Sequence, residues 1–310
     1  MALVSQMVAT SYPAVLAEMK KNPANQWAEN AFLRELEKQG AIKRKSLGSS
    51  IDVPLDYQRN PGATFLSSDL APVSMTKTEV ITHATYDIAE ISVPGTWSKK
   101  DEAMNSTENK KVDLVASINS NSITSHDEMI EQYVFATSTN GFLGFGTHIV
   151  STGQGSDAGI DSATYTFWRN QQSTYVDDTD IESAMTTVWN ACAKGSGSSL
   201  SPTWAVSDGA TQALFEGTQQ AQQRYVDDQD LKAGFKTIAF KTARYVFSQF
   251  GGTSIYMGNP KNFYIVGSKE KFREQGDVQE IQNANGYHFN LYSALQAVTG
   301  NRSRLGIVHL

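Results

Sequence analysis

The chain has 310 residues and a net charge of −6, with 40% hydrophobic and 19% charged residues. This size predicts one large domain or two interlocked ones, and the acidic balance argues against a broad basic surface that binds nucleic acid. The single cysteine, Cys192, excludes a disulfide framework within the chain and favours a reducing compartment. No run of about twenty apolar residues and no signal-peptide pattern is seen, so the sequence predicts a cytoplasmic protein without a membrane span.

The first 47 residues read as a helical arm. Residues 12–39 are predicted to be helical, in two pieces around Pro23. Their apolar stripe consists of Trp27, Phe32, Leu33 and Leu36. Gly40 is expected to end the helix, and the basic run 43–45 that follows is interpreted as a solvated linker.

Residues 48–97 form the longest β-type segment of the chain. Apolar and polar residues alternate from Val80 to Ile91, whereas residues 59–74 consist mostly of Pro, Gly, Ser and Asp. These features predict an extended two-stranded ribbon. A ribbon of two strands is marginally stable alone, so we expect it to lie against its own body or against a neighbouring copy. This expectation favours a role in assembly over an enzyme pocket.

A second long helix is predicted over residues 107–138. The segment 119–125 is poor in helix-forming residues, which leaves a bend or break open. A Gly-rich, turn-forming segment follows and ends in an aromatic cluster of Tyr165, Phe167 and Trp168.

The remainder alternates short helices and strands. Helices are predicted over 179–194 and 208–222, and strands over 203–207, 235–240, 243–248 and 262–267. Residues 287–310 are predicted to form a terminal pair of strands that turns at Gly300 and Asn301. The class is therefore α+β, and the missing βαβ rhythm argues against Rossmann and TIM-barrel architectures.

Two nearly identical hexapeptides, YVDDTD at 175–180 and YVDDQD at 225–230, supply the strongest candidate chemistry. Adjacent aspartates such as Asp177, Asp178, Asp227 and Asp228 are able to hold divalent ions for phosphoryl transfer, or calcium. YVDD resembles the metal-binding turn of reverse transcriptases, which has hydrophobic strands on both sides, whereas the flanking sequences here are predicted to be helical. Because Asp and Thr are good N-caps, we interpret both motifs as helix caps and turns.

Other motifs give no support to catalysis. Gly141–Gly146 lacks the spacing of a phosphate-binding loop, and its glycines are expected to serve tight turns. The five histidines have no metal-ligand spacing, and no GxSxG elbow is present. The sequence therefore predicts a non-enzyme with no catalytic residue, metal or cofactor.

The order of these elements resembles that of the major capsid proteins of tailed double-stranded DNA phages, which have the Hong Kong 97 fold. The resemblance rests mainly on the layout and on three segments. They are WAENAFLRELEKQGAIKRKSLGSSIDVPLDYQRN at 27–60, TYTFWRNQQ at 164–172, and GFKTIAF with NFYIVGSKEKF within 234–272. The resemblance implies an N-terminal arm at 1–47, an E-loop at 48–97, a peripheral domain with a spine helix at 98–201, an axial domain at 202–286 and returning strands at 287–310.

The same resemblance implies a structural function. Copies would assemble as hexamers and pentamers into an icosahedral shell in the host bacterial cytoplasm and enclose double-stranded DNA in the virion without sequence-specific binding. The implied partners are further copies of the chain, a scaffolding protein and a portal protein, and a decoration protein is left open. The residues expected at contacts between subunits are Tyr57, Phe65, Ile88, Ile91 and Trp168. Replacing Ile88 and Ile91 with Asp is expected to block assembly more than it lowers monomer stability.

Two departures from other members are expected. The predicted ribbon tip, 59–69, contains no lysine and Lys77 lies well down the returning strand, so no covalent lysine–asparagine crosslink is predicted. About 47 residues before the ribbon leave no room for a fused scaffolding segment, which favours a separate scaffolding protein.

Three alternative functions remain open. The first is an encapsulin-type shell, which has the same fold and recruits cargo enzymes. The second is a metal-dependent enzyme built on the four aspartates at 177, 178, 227 and 228. The third is an adhesion or tail component, which would form rings or tubes.

Overall fold

A computed structural model describes residues 31–68, 77–104, 108–194, 199–222 and 238–310. The helices in this part are α1 (Ala31–Lys38), α2 (Lys99–Met104), α3 (Glu108–Phe135), α4 (Phe145–His148), α5 (Asp178–Ala193) and α6 (Gly209–Gln222), with 3-10 turns at Thr166–Trp168 and Arg302–Arg304. The first predicted helix is confirmed where it is described, and Gly40 follows it at φ +72°. Residues 1–30, including Trp27, lie outside the described residues.

The first of two larger sheets has six strands. They are β1 (Ile42–Lys45), β4 (Ala89–Ser98), β14 (Phe263–Ser268), β15 (Glu274–Gln275), β16 (Gln279–Glu280) and β17 (Gly286–Thr299). The long strand β17 is central, because β4 pairs antiparallel with ten of its residues and β14 pairs with its C-terminal end. Helix α3 packs on β4 and β17.

The second larger sheet also has six strands. In spatial order they are β11 (Ile238–Phe240), β12 (Ala243–Phe247), β10 (Trp204–Ser207), β13 (Ile255–Gly258), β18 (Gly306–His309) and β9 (Gln171–Thr174). Helix α5 packs on β9 and β18, and α6 packs on β12. This arrangement gives a second, smaller core, in which Ile181 and Met185 of α5 meet Phe215 of α6.

Three two-stranded pairs complete the fold: β2 (Ser50–Asp56) with β3 (Ile81–Asp87), β5 (Ser138–Thr139) with β6 (Phe142–Leu143), and β7 (Ser156–Asp157) with β8 (Ile160–Asp161). The β2–β3 pair is the predicted ribbon. Its alternation is confirmed, because Ala84 and Tyr86 are buried while their neighbours are more exposed. The expectation that it extends to residue 97 is wrong, since the chain leaves the ribbon at Ile88 and β4 joins the first sheet.

Two further expectations are corrected by the topology. The strands within 287–310 do not pair with each other, because β17 belongs to the first sheet and β18 to the second. The boundaries at 201 and 286 also change, since β14, β15 and β16 lie with β17, whereas β9 and α5 lie with the second sheet. Long-range pairing, which alternation within one segment does not specify, decides both points.

The two sheets meet at an aromatic cluster around Phe145. Its ring stacks at 4.8 Å from Tyr256 and 5.6 Å from Trp204, and lies 4.9 Å from the Phe263 ring and 5.8 Å from Phe32. These centroid distances lie within the range of favourable aromatic pairs. Phe32 of α1 is thus a core residue, and the cluster joins α1, α4 and both sheets in one continuous core.

Candidate functional site

The ribbon formed by β2 and β3 leads to a group of exposed apolar side chains near its outer end. Seven residue pairs join its strands, from Ser50 with Asp87 to Asp56 with Ile81. Beyond these pairs the chain continues through residues 57–68 and 77–80, and residues 69–76 lie outside the described part. Apolar side chains here face water: Phe65 is 100% exposed, Ile81 71% and Leu66 55%. Large exposed apolar side chains grouped on a projecting element are typical of an interaction surface.

The inner half of the ribbon is fixed to β17. The hydroxyl of Tyr86 donates to the carbonyl of Thr299 at 3.2 Å and accepts from the backbone N–H of Thr299 at 3.3 Å. Burial is the main reason that the pKa of Tyr86 is raised, and the charge of Asp157 adds to it. The tyrosine therefore stays neutral and keeps the hydrogen bond that holds the ribbon.

Gln296, fully buried on β17, forms a second attachment. Its amide nitrogen donates to the carbonyls of Asp87 at 2.7 Å and Gly141 at 2.8 Å, and its oxygen accepts from the N–H of Leu143 at 2.9 Å. One side chain thus joins the end of the ribbon, the β5–β6 turn and the first sheet. Because buried amides are costly without partners, these bonds favour one direction of the ribbon relative to the body.

The turn-forming segment 137–170 supports the outer part of the ribbon. Tyr57, where the ribbon leaves β2, stacks on Phe167 with the ring centroids 5.1 Å apart. The Tyr57 hydroxyl donates to the carbonyl of Glu79 at 2.8 Å, which ties the two sides of the ribbon together. The aromatic cluster predicted around 165–168 is therefore a platform under the ribbon.

A buried polar network stiffens that platform. Nδ1 of His148 lies 2.9 Å from a carboxylate oxygen of Asp157, and the Trp168 indole donates to the Asp157 carbonyl at 3.2 Å. The Arg302 guanidinium, fully buried, donates to the carbonyls of His148 and Gly155, both at 2.8 Å. Burial lowers the pKa of Arg302, and the nearby charge of Asp157 opposes that effect. Sequence reasoning missed Arg302, since a charged residue between two strands carries no local signal of burial.

The prediction that the glycines at 141–146 serve turns is confirmed for Gly141, whereas Gly144 precedes α4 and Gly146 lies within it. Asn140 and Gly141 have φ values of +49° and +87° between β5 and β6, a conformation that Asn and Gly tolerate best. At Gly144 a Cβ atom would lie 2.2 Å from the carbonyl oxygen of Ala136, so a side chain does not fit there.

The five residues expected at subunit contacts have different surroundings. Phe65 is free in the described chain, and Tyr57 is half-buried against Phe167. Ile88 and Ile91 are half-buried against the main core, and Trp168 is only 2% exposed. Trp168 is part of the main core and Ile88 and Ile91 pack against it, so all three have partners within their own chain, and their role at a subunit contact stays a prediction.

The first aspartate motif is a helix cap, as predicted. Asp177 precedes α5 and accepts from the Thr179 N–H at 2.9 Å and the Thr179 hydroxyl at 2.6 Å. These hydrogen bonds lower the pKa of Asp177. The second motif, with Asp227 and Asp228, lies outside the described residues. Within the described part no group of three or more His, Cys, Asp or Glu residues is placed to hold a metal ion.

None of the described helices has the length and apolar character needed to cross a bilayer.

Comparisons with known proteins show where this architecture occurs. No protein-family model matches the sequence, and a search of curated proteins gives no match. Among solved structures, the capsid asymmetric unit of cyanophage A-1(L) matches with a TM-score of 0.68 and 14% identity, over 94% of this chain and 95% of that one. The capsid of an empty GTA particle matches with a TM-score of 0.64 and 11% identity, over 94% and 93%.

An encapsulin complex, SrpI from Synechococcus elongatus PCC 7942, matches with a TM-score of 0.59 and 10% identity, over 96% of this chain and 93% of that one. These likenesses extend over nearly the whole length of both partners. The chain has the α+β Hong Kong 97-type capsid fold, as the layout of its sequence predicted.

Proposed function

We propose that the chain is the major capsid protein of a tailed double-stranded DNA phage. Copies assemble as hexamers and pentamers into a closed icosahedral shell, in which each contact is repeated by rotation. The observation that carries the proposal is the whole-chain likeness to phage capsid structures, over 94% of the chain in the cyanophage case. The role is structural, and the described residues hold no cluster suited to metal catalysis.

In this function the ribbon is the E-loop and contacts a neighbouring subunit. Phe65 and Leu66 gain little from their own chain, so their apolar surface is available to be buried between subunits. The attachments of Tyr86 and Gln296 fix the direction in which the ribbon leaves the body. A fixed direction lowers the entropy lost on assembly, since the ribbon is already ordered at its base.

The two sheets suggest revised parts for the subunit. The first sheet with α3 as spine helix is the peripheral domain, and the second sheet with α5 and α6 is the axial domain. The partners that complete the particle are further copies of the chain, a scaffolding protein and a portal protein. Assembly takes place in the host cytoplasm before the shell becomes part of the virion.

An encapsulin-type compartment is the second candidate, because an encapsulin matches over 96% of the chain. Both candidates predict closed shells, so the contents discriminate between them. Particles from the native source that contain double-stranded DNA support the phage capsid, and particles that contain a protein cargo support the compartment.

Negative-stain electron microscopy of the purified full-length protein tests the shell itself. The protein is expressed alone and together with the genes next to its own, which supply a scaffolding protein in the phage case. Closed icosahedral particles in either sample are expected. Uniform small particles in both samples would contradict a capsid function and favour an enzyme. Rings or tubes in both samples would also contradict it and favour a tail component.

A further inference from the structure

Four cations lie together at one edge of the first sheet. Lys43, Arg44 and Lys45 belong to β1, the edge strand beside β14. Lys269 directly follows β14, and its N–H donates to the carbonyl of Lys45 at 2.8 Å. We call these four residues the basic edge. The run 43–45 is thus part of a sheet, which corrects its interpretation as a linker.

Two of these cations are held above aromatic rings. Nζ of Lys43 lies 3.4 Å from the centroid of the Tyr264 ring, and the guanidinium carbon of Arg44 lies 4.8 Å from that of Phe272. Successive strand residues point to opposite faces, so Lys43 and Lys45 share one face and Arg44 lies on the other. The stacking orders the first two cations without pairing them with a carboxylate.

The neighbouring cations are neutralised, whereas the basic edge is not. Lys271 pairs with Glu274 at 2.5 Å, and Arg273 pairs with Asp127 at 2.6 Å. No carboxylate of the described chain lies within ion-pair distance of Lys43, Arg44, Lys45 or Lys269, although Glu270 is exposed next to Lys269 in sequence. The basic edge is therefore a local concentration of positive charge in a chain whose net charge is −6.

Protection of a sheet edge accounts for only part of this group. Charged residues on an edge strand prevent it from pairing with other strands, which would explain Lys43 and Lys45. Lys269 needs another reason, because it follows β14, a strand that is already paired on both sides by β1 and β17. Positive charge that spreads from an edge strand to its neighbour matches an extended anion better than it matches edge protection.

We propose that the basic edge binds the phosphate backbone of the double-stranded DNA that the shell encloses and therefore faces its interior; this inference rests on the proposed function. Four cations neutralise at most four phosphates, so binding is weak, independent of sequence and sensitive to salt. The slope of log K against log salt is then no steeper than about −3.6, from about −0.9 for each phosphate of B-DNA. A contact this small remains compatible with the acidic chain, because it forms no continuous basic wall.

The test measures binding of the full-length, unassembled protein to a fluorescent 20-base-pair duplex (roughly two helical turns) by anisotropy across a salt series. The variant Arg44→Gln/Lys45→Gln/Lys269→Gln removes three cations of the basic edge. The control Lys77→Gln/Lys100→Gln/Lys261→Gln removes three exposed lysines elsewhere and changes the net charge equally. Thermal melts establish that both variants are folded.

The basic-edge variant is expected to bind the duplex at least about tenfold more weakly at low salt, with a slope reduced by up to about 2.7. The control is expected to keep the affinity within about twofold. Equal losses in the two variants, or no loss in either, would overturn the proposal. Tighter binding of a poly-glutamate peptide than of the duplex would also overturn it and assign the edge to an acidic protein. Because subunits are measured before assembly, failed DNA binding is distinguishable from failed shell formation.

Discussion

The ribbon tip offers the sharpest test of how the subunits associate. Phe65 is fully exposed in its own chain, so replacing it with Asp removes no contact from the folded monomer. An exposed substitution of this kind changes the free energy of unfolding by less than about 0.5 kcal/mol. Burial of the Phe65 ring between subunits is worth about 2 kcal/mol, within the range for a phenylalanine side chain. Since each subunit contributes one ribbon, the critical concentration for assembly should rise roughly thirtyfold.

Ile91→Asp is the matched variant, because it introduces the same side chain at a residue packed on the main core. A half-buried carboxylate there is expected to cost about 2–4 kcal/mol of monomer stability. The melting temperature of the unassembled protein should fall by about 2 °C per kcal/mol for a chain of this size. Sedimentation at a series of protein concentrations gives the critical concentration, and thermal melts below it give the monomer stability.

Two results would refute this reasoning. An unchanged critical concentration in Phe65→Asp would show that the tip is not buried between subunits. A melting temperature that falls as far in Phe65→Asp as in Ile91→Asp would show that the ring packs within its own chain.

Three further predictions concern the body of the subunit. Gln296→Met removes the hydrogen bonds to Asp87, Gly141 and Leu143 and should lower the free energy of unfolding of the monomer by about 3 kcal/mol in urea. The exposed control Gln279→Met should change it by less than about 0.5 kcal/mol. Equal effects of the two variants would contradict the attachment of the ribbon by Gln296. Asp177→Ala should lower the melting temperature more at pH 7 than at pH 2. The lowered pKa stabilises the fold above the unfolded value of about 3.9, and this stabilisation is lost as the pH falls through the folded pKa. Stabilisation by calcium or manganese that Asp177→Ala abolishes would favour a metal site instead. Mature particles boiled in SDS should give one band, since the predicted ribbon tip, 59–69, contains no lysine, and a ladder of larger species would contradict the absence of a crosslink.

Sequence patterns predicted individual elements better than their partners. The alternation of 80–91 predicted strands with Ala84 and Tyr86 on the buried face, yet it continues through Ile88, where the chain leaves the ribbon for the first sheet. Alternation reports which side chains are buried and does not report which strand lies alongside. The alternation therefore gave no signal of the change of strand partner at Ile88.

Helix α3 is continuous although part of its sequence has a weak helix propensity, because tertiary contacts stabilise it. It runs unbroken from Glu108 to Phe135 through the polar segment 119–125, where a break was left open. The hydroxyls of Thr124 and Ser125 donate to carbonyls four residues earlier, and buried His126 places Nε2 2.9 Å from the Ser293 hydroxyl on β17. Packing on β17 supplies partners that a single-sequence reading has no means to foresee.

A cryo-electron microscopy reconstruction of assembled particles tests the central claim most directly. We expect a closed icosahedral shell in which the β2–β3 ribbon leaves its body at Asp87 and the Phe65 ring is buried against a neighbouring subunit. A closed shell with Phe65 in solvent would contradict the ribbon contact. An assembly that is not closed, or a protein that stays monomeric with its scaffolding partner present, would contradict the capsid function itself.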